Sequence, residues 1–133
     1  MKRLIVNADD FGLHPLINEG IIESHQQGIV TSTSLLASGE YYEDAISLAK
    51  TTPTLGVGIH ICLVGGLLPV CEPKEVPSLL VDGKFPMTHT EFIKRLFTGQ
   101  IKGNELRKEI EAQFQKVMST GLPITHVDGH QHM

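Results

Sequence analysis

Apolar residues fall along this chain in short blocks, some continuous and some spaced at a helical period, and the blocks divide it into strands and helices. Leu4 to Ala8 is a run without alternation, the pattern of a strand covered on both faces, as in parallel sheets. Pro15 suits a first helical turn, Leu16, Ile17, Gly20, Ile21 and Ser24 share one face, and Gly28 offers a stop. Thr31 to Ala37, rich in β-branched and aliphatic residues, reads as a second strand. Tyr42 to Lys50 is helical by Ala45, Ile46, Leu48 and Ala49, and Leu55 to Leu63 gives a third strand. Residues 64 to 89 break this rhythm with Pro69, Pro73, Pro77 and Pro86, so an extended loop is expected there, with at most a small hairpin around Asp82-Gly83. Thr88 and Glu91 have capping-box spacing ahead of a helix ending at Phe97. From Glu105 to Thr120, Leu106, Ile110, Phe114 and Val117 form one stripe, with Asn104 as a cap and Gly121 as a stop. Ile124 to Asp128 is the fourth strand. Strand and helix alternate, which implies an α/β fold with a parallel sheet and right-handed crossovers.

Composition narrows the class. With 133 residues, 41% of them hydrophobic, the chain is one domain or part of a larger one. Its net charge of -4, without a basic run, argues against a nucleic-acid surface. No apolar stretch is long enough to cross a membrane, and the run after Met1-Lys2-Arg3 stops at Asn7, too soon for a signal peptide. Cys62 and Cys71 are expected free and reduced, as in a cytoplasmic protein.

Parallel sheets gather chemistry at the C-terminal ends of their strands, and three ends here carry ligand types. Asp9 and Asp10 close the first strand, His60 lies in the third, and His126-Val127-Asp128-Gly129-His130-Gln131-His132 closes the fourth. A carboxylate pair where a buried strand meets a glycine turn is costly to desolvate unless a cation or a reaction uses it. Imidazoles are the commonest partners of such a cation. A helix cap would explain Asp10 but leave Asp9 without a role. Asp128 reads equally as an orienting carboxylate for a ligand histidine or as a strand end, and His132 equally as a pocket residue or a solvated one. His126 and His130 have the spacing of a helical zinc pair, but Gly129 and the β-like Ile124-Thr125 oppose a helix. Cys62 reads as a small buried residue, and His14, His25 and His89 as surface or cap residues.

At Asn7-Ala8-Asp9-Asp10-Phe11-Gly12, Gly28 to Ser34, Gly56-Val57-Gly58-Ile59-His60 and Thr125 to His132, the chain resembles the YdjC-like carbohydrate deacetylases. The resemblance implies an irregular (β/α) barrel, metal ligands at Asp10, His60 and His130, and Asp9 as the catalytic base. It implies a divalent metal, magnesium first, with zinc the alternative that a nitrogen and oxygen ligand set suits. A complete barrel needs about 250 residues, so the chain reads as the N-terminal half of one, a single partial domain over residues 1–133. The family's later histidine motif, a source for the general acid, has no counterpart in it.

The function these readings support is metal-dependent removal of acetyl groups from N-acetylated amino sugars or oligosaccharides. A metal-dependent sugar-phosphate hydrolase and a non-catalytic half-barrel that binds a sugar or a partner are the alternatives. Four parallel strands cannot close a barrel, so a homo-oligomer in which one half-barrel covers another is expected.

Overall fold

The computed structural model describes residues 2–132 of the chain, without the side chain of His132, so the reading of that side chain lies outside the described residues. Four strands, β1 (Asn7–Phe11), β2 (Ser32–Leu36), β3 (Gly56–Ile61) and β4 (Ile124–Gly129), form one sheet in sequence order, with every pairing parallel. Helices α1 (Pro15–Gln26) and α2 (Tyr42–Thr51) make the first two crossovers, and α3 (His89–Phe97) and α4 (Gly103–Met118) belong to the third. This is the expected alternation.

Local chemistry accounts for most boundaries. His14 Nδ1 accepts from Leu16 N–H at the start of α1, where Pro15 stands in the first turn. Thr88 Oγ1 accepts from Glu91 N–H and caps α3. Glu43 and Asp44 occupy the first turn of α2 and Lys50 its last, each sign complementing the helix dipole. Asn104 is not the cap of α4: the helix begins at Gly103, after Lys102, with no side-chain cap.

The first strand lies further along than its apolar run suggests. Leu4 and Ile5 are 78% and 77% exposed, and backbone pairing with the second strand begins where Thr31 and Ser32 N–H reach Val6 O. What fixes β1 is its register with β2, Asn7 opposite Ser32 and Ala8 opposite Thr33. Pairing overrides local hydrophobicity here.

The two faces of the sheet differ. One carries Leu35, Val57 and Ile59, which pack with Phe11, Ile21, Tyr42, Ala45, Ala49 and Val117 into the larger core cluster. Burying such side chains contributes about 1.5–3 kcal/mol each. The other face carries Asn7, Asp9, Ser32, Ser34, Gly56, Gly58 and His60 and, after a register shift in β4, His126 and Asp128, all small or polar, with Leu36 beside them. An open cleft of about 590 Å³ runs along this face, lined among others by Asn7, Ser32, Gly56, His126 and Asp128.

Residues 64–88 are a loop holding 3₁₀ turns at Pro73–Glu75 and Pro77–Leu79 and a single antiparallel bridge between Val81 and Lys84. Asp82 and Gly83, both at positive φ, make the tight turn of that bridge, as expected from the sequence. A second core cluster beneath the loop joins Cys62, Val64, Val76, Leu79, Phe85 and Phe92.

Helix α4 departs from its apolar stripe. Its enclosed line is Glu105, Glu109, Gln113 and Val117, spaced four apart, while Leu106, Ile110 and Phe114 are only half-buried. The polar residues are inside because the loop needs partners for its backbone. Glu109 accepts from Val70 and Cys71 N–H, both at 2.9 Å, and Gln113 pairs with both the N–H and the C=O of Cys62. Glu105 accepts from Ser78 N–H at 2.7 Å. Unpaired backbone groups in this interior would cost more than the carboxylates and amide that satisfy them.

Candidate metal centre

In a regular strand, consecutive side chains point to opposite faces, so Asp9 and Asp10 could not share a site. The chain resolves this at Asp10, whose φ of 66° lies in the left-handed region that Asp tolerates, and the β1–β2 register shifts between Ala8 and Phe11. Both carboxylates thereby reach the ring of His60: Asp10, His60 and His130 have ligand atoms within 4.8 Å of one another, and so do Asp9, His60 and Asp128. The turn is held from behind by Asn18, fully enclosed, whose Oδ1 accepts from Gly12 N–H at 2.7 Å.

His60 is 2% exposed on β3, opposite Leu36 on one side and Asp128 on the other. His130 follows β4 directly, in a 3₁₀ turn, and its ring meets that of His60 edge-on with centroids 5.4 Å apart. Asp10 Oδ1 stands 2.9 Å from His130 Nδ1 and 3.4 Å from His60 Nε2. Yet this oxygen is sealed from solvent and neither ring is aligned to donate a hydrogen bond to it. A buried carboxylate oxygen beside two imidazole nitrogens, with no hydrogen bond from the described residues, is a donor set suited to a cation.

The electrostatics agree. The imidazole of His130, and then that of His60, hold the Asp10 carboxyl well below the usual carboxylate range, outweighing its burial. Burial disfavours the His60 imidazolium, but the carboxylates of Asp10 and Asp128 on either side of the ring outweigh it and raise its pKa. Two carboxylates facing the His60 ring favour positive charge there, whether a proton or a metal cation supplies it.

Asp9 belongs to a different set of contacts. Asn7 Nδ2 donates to Asp9 Oδ1 at 2.8 Å, whereas Asp128 Oδ1 faces His60 Nδ1 at 2.6 Å. Of the other candidates, His126 lies within β4 with its ring against Gly58, so the helical pair with His130 does not form. Cys62 is enclosed beyond the end of β3, its thiol directed at Val64 O. His14 caps α1, and His25 joins Val30 O to Thr54 Oγ1. Asn7, Asn18 and Ser34 were not singled out from the sequence as site residues. The hydroxyl run Thr31-Ser32-Thr33-Ser34 in a strand otherwise fit for burial was the available signal.

The fold and site define a class, an α/β protein whose parallel strands bring carboxylates and imidazoles to one rim. The family model described as YdjC-like protein matches residues 3–133, and the chain belongs to that family. It is 42% identical over 132 residues to a protein named carbohydrate deacetylase from Brevibacillus brevis, covering 98% of this chain and 50% of the relative. It is 40% identical over 135 residues to another of that name from Thermoanaerobacter pseudethanolicus, covering 99% and 51%. A solved structure from Enterococcus faecalis, described as a candidate cellobiose-phosphate cleavage protein, superposes with a TM-score of 0.86 at 33% identity, over 97% of this chain and 48% of that one. The chain thus spans about half the length of the curated relatives it matches.

Proposed function

We propose that this chain carries the metal-binding part of a carbohydrate N-deacetylase, a hydrolase that removes acetyl groups from N-acetylated amino sugars. The observation that carries this reading is the convergence of Asp10, His60 and His130 around a sealed carboxylate oxygen that receives no hydrogen bond among the described residues. These three residues fit a divalent cation, magnesium first and zinc as the alternative. When bound, such a cation supplies Lewis acidity, polarising an amide carbonyl and lowering the pKa of water.

The residues of the chain do the rest. Asp9, held by the amide of Asn7, is the base that takes the proton as water adds to the acetamide carbon. Asp10, acceptor-only, keeps its charge on the cation side and takes no part in proton transfer. As the tetrahedral adduct collapses, the nitrogen takes up the proton that Asp9 received and the C–N bond breaks, giving acetate and the free amine. We also propose a homo-oligomer in which one copy covers the open strand edges of another.

A second reading, hydrolysis of a sugar phosphate, is favoured by one observation. A cleft of about 510 Å³ beyond the C-terminal end of β2 is lined by Lys84 and Lys116, together with Glu40, and the two lysines supply cations that a phosphate would need. Acetate and phosphate release from N-acetylated and phosphorylated oligosaccharides separates the two. Asp9→Asn is expected to abolish acetate release with metal content nearly intact, whereas Asp10→Asn loses metal first. Phosphate release without acetate would reject the deacetylase reading.

A further inference from the structure

Ser34 is fully enclosed in the middle of β2, yet its one hydroxyl meets polar groups from both β1 and β4. Asn7 Nδ2 donates to Ser34 Oγ at 2.7 Å, using the same amide that holds Asp9. Ser34 Oγ–H donates to Asp128 Oδ2 at 2.6 Å, and Asp128 Oδ1 faces His60 Nδ1 at 2.6 Å. His126 Nε2 stands 3.2 Å from Ser34 Oγ, with its Nδ1 2.9 Å from Thr125 Oγ1.

The single proton of Ser34 constrains how protons are placed around it. An ionised carboxylate only accepts, so the proton between Asp128 and His60 sits on His60 Nδ1. Ser34 has a single proton, and the carboxylate is the strongest acceptor in its reach. With that proton committed to Asp128, the His126 contact forms only if His126 Nε2–H is the donor. Both oxygens of Asp128 are then fixed, one by Ser34 and the other by His60.

We propose that Ser34, with His126 behind it, is a positioning residue for His60. By holding Asp128 in one orientation it keeps the His60 proton on Nδ1 and leaves the Nε2 lone pair facing Asp10 and His130. Carboxylates that orient metal-ligating histidines are general, and their loss weakens metal binding about 10–100-fold. The additional element here is a hydroxyl on a different strand that controls the carboxylate. Through Asn7 the same hydroxyl is joined to Asp9, so the base and the ligand histidine are set by one network. The inference rests on the metal reading of the site, but its first readout does not require metal.

The test uses purified protein stripped of metal and the variants Ser34→Ala and His126→Phe, the latter keeping a ring against Gly58 while deleting the N–H donor. Nitrogen chemical shifts of His60, recorded above the pH at which its ring signals stop moving, report the tautomer. Nδ1–H is expected to dominate in the parent protein and to lose ground to Nε2–H in both variants, with zinc affinity by calorimetry falling about 10-fold. Should Ser34→Ala fail to fold, His126→Phe decides by the same readout, because His126 joins the network through Ser34. Folded variants with an unchanged His60 tautomer and unchanged zinc affinity would overturn the proposal. If the parent protein bound no zinc, the metal reading would fall, and the tautomer alone would decide whether Ser34 positions His60.

Discussion

The ring of His126 lies so close against Gly58 that a Cβ at residue 58 would overlap three of its ring atoms. Glycine at this point of β3 is therefore the space in which His126 sits, and His126 in turn reaches Ser34. Gly58→Ala is expected to displace the ring and to destabilise the protein by about 1–3 kcal/mol, as overpacking does. Urea denaturation with Gly56→Ala as the comparison would measure this. Equal small losses at both positions would mean that the ring moves aside freely.

Glu109 offers a second test, on the other side of the molecule. Its carboxylate is fully buried, with Val70 N–H, Cys71 N–H and the Gln113 amide donating to it. Glu109→Ala leaves the Val70 and Cys71 N–H groups without a partner and is expected to cost about 2–5 kcal/mol by chemical denaturation. The 64–88 loop should then become the first site of limited proteolysis. Cleavage elsewhere would show that α4 does not anchor it.

The thiols give a prediction in pH. Burial pushes the Cys62 thiol up to about 12 and, with the Glu109 carboxylate nearby, the Cys71 thiol up to about 11. Because thiolate is the reactive form, a disulfide reagent at pH 8 should label neither in native protein and both on unfolding. The unfolded chain loses these protons near the ordinary value of 9.0, before the native protein does. The stability that they contribute is thus complete below pH 9 and declines as pH rises towards 11–12. Rapid native-state labelling at pH 8 would contradict the burial of Cys62.

The alternation of strands and helices was readable from the sequence because each crossover carries its own caps and period. So was the gathering at one rim of Asp9 and Asp10, His60 and the histidines that close the fourth strand, since parallel strands of similar length must bring their C-terminal ends together, whereas the choice of Asp10, His60 and His130 among them came from the family resemblance. Two things were not. The start of β1 depends on pairing with β2, which no local pattern encodes, and so Leu4 and Ile5 passed for strand residues. The inward face of α4 depends on the backbone of a distant loop, whose unpaired N–H groups select Glu109 and Gln113 over Leu106 and Ile110. The recurrence of Glu105, Glu109 and Gln113 at every fourth residue was the trace of it.

The central claim, that Asp10, His60 and His130 hold one divalent cation, is tested most directly by crystals grown with Mn²⁺ and measured for anomalous scattering. One peak is expected, about 2.0–2.3 Å from a carboxylate oxygen of Asp10 and from one ring nitrogen of each histidine. A peak held instead by Asp9 and Asp128, or no peak among these residues at millimolar Mn²⁺, would contradict the account.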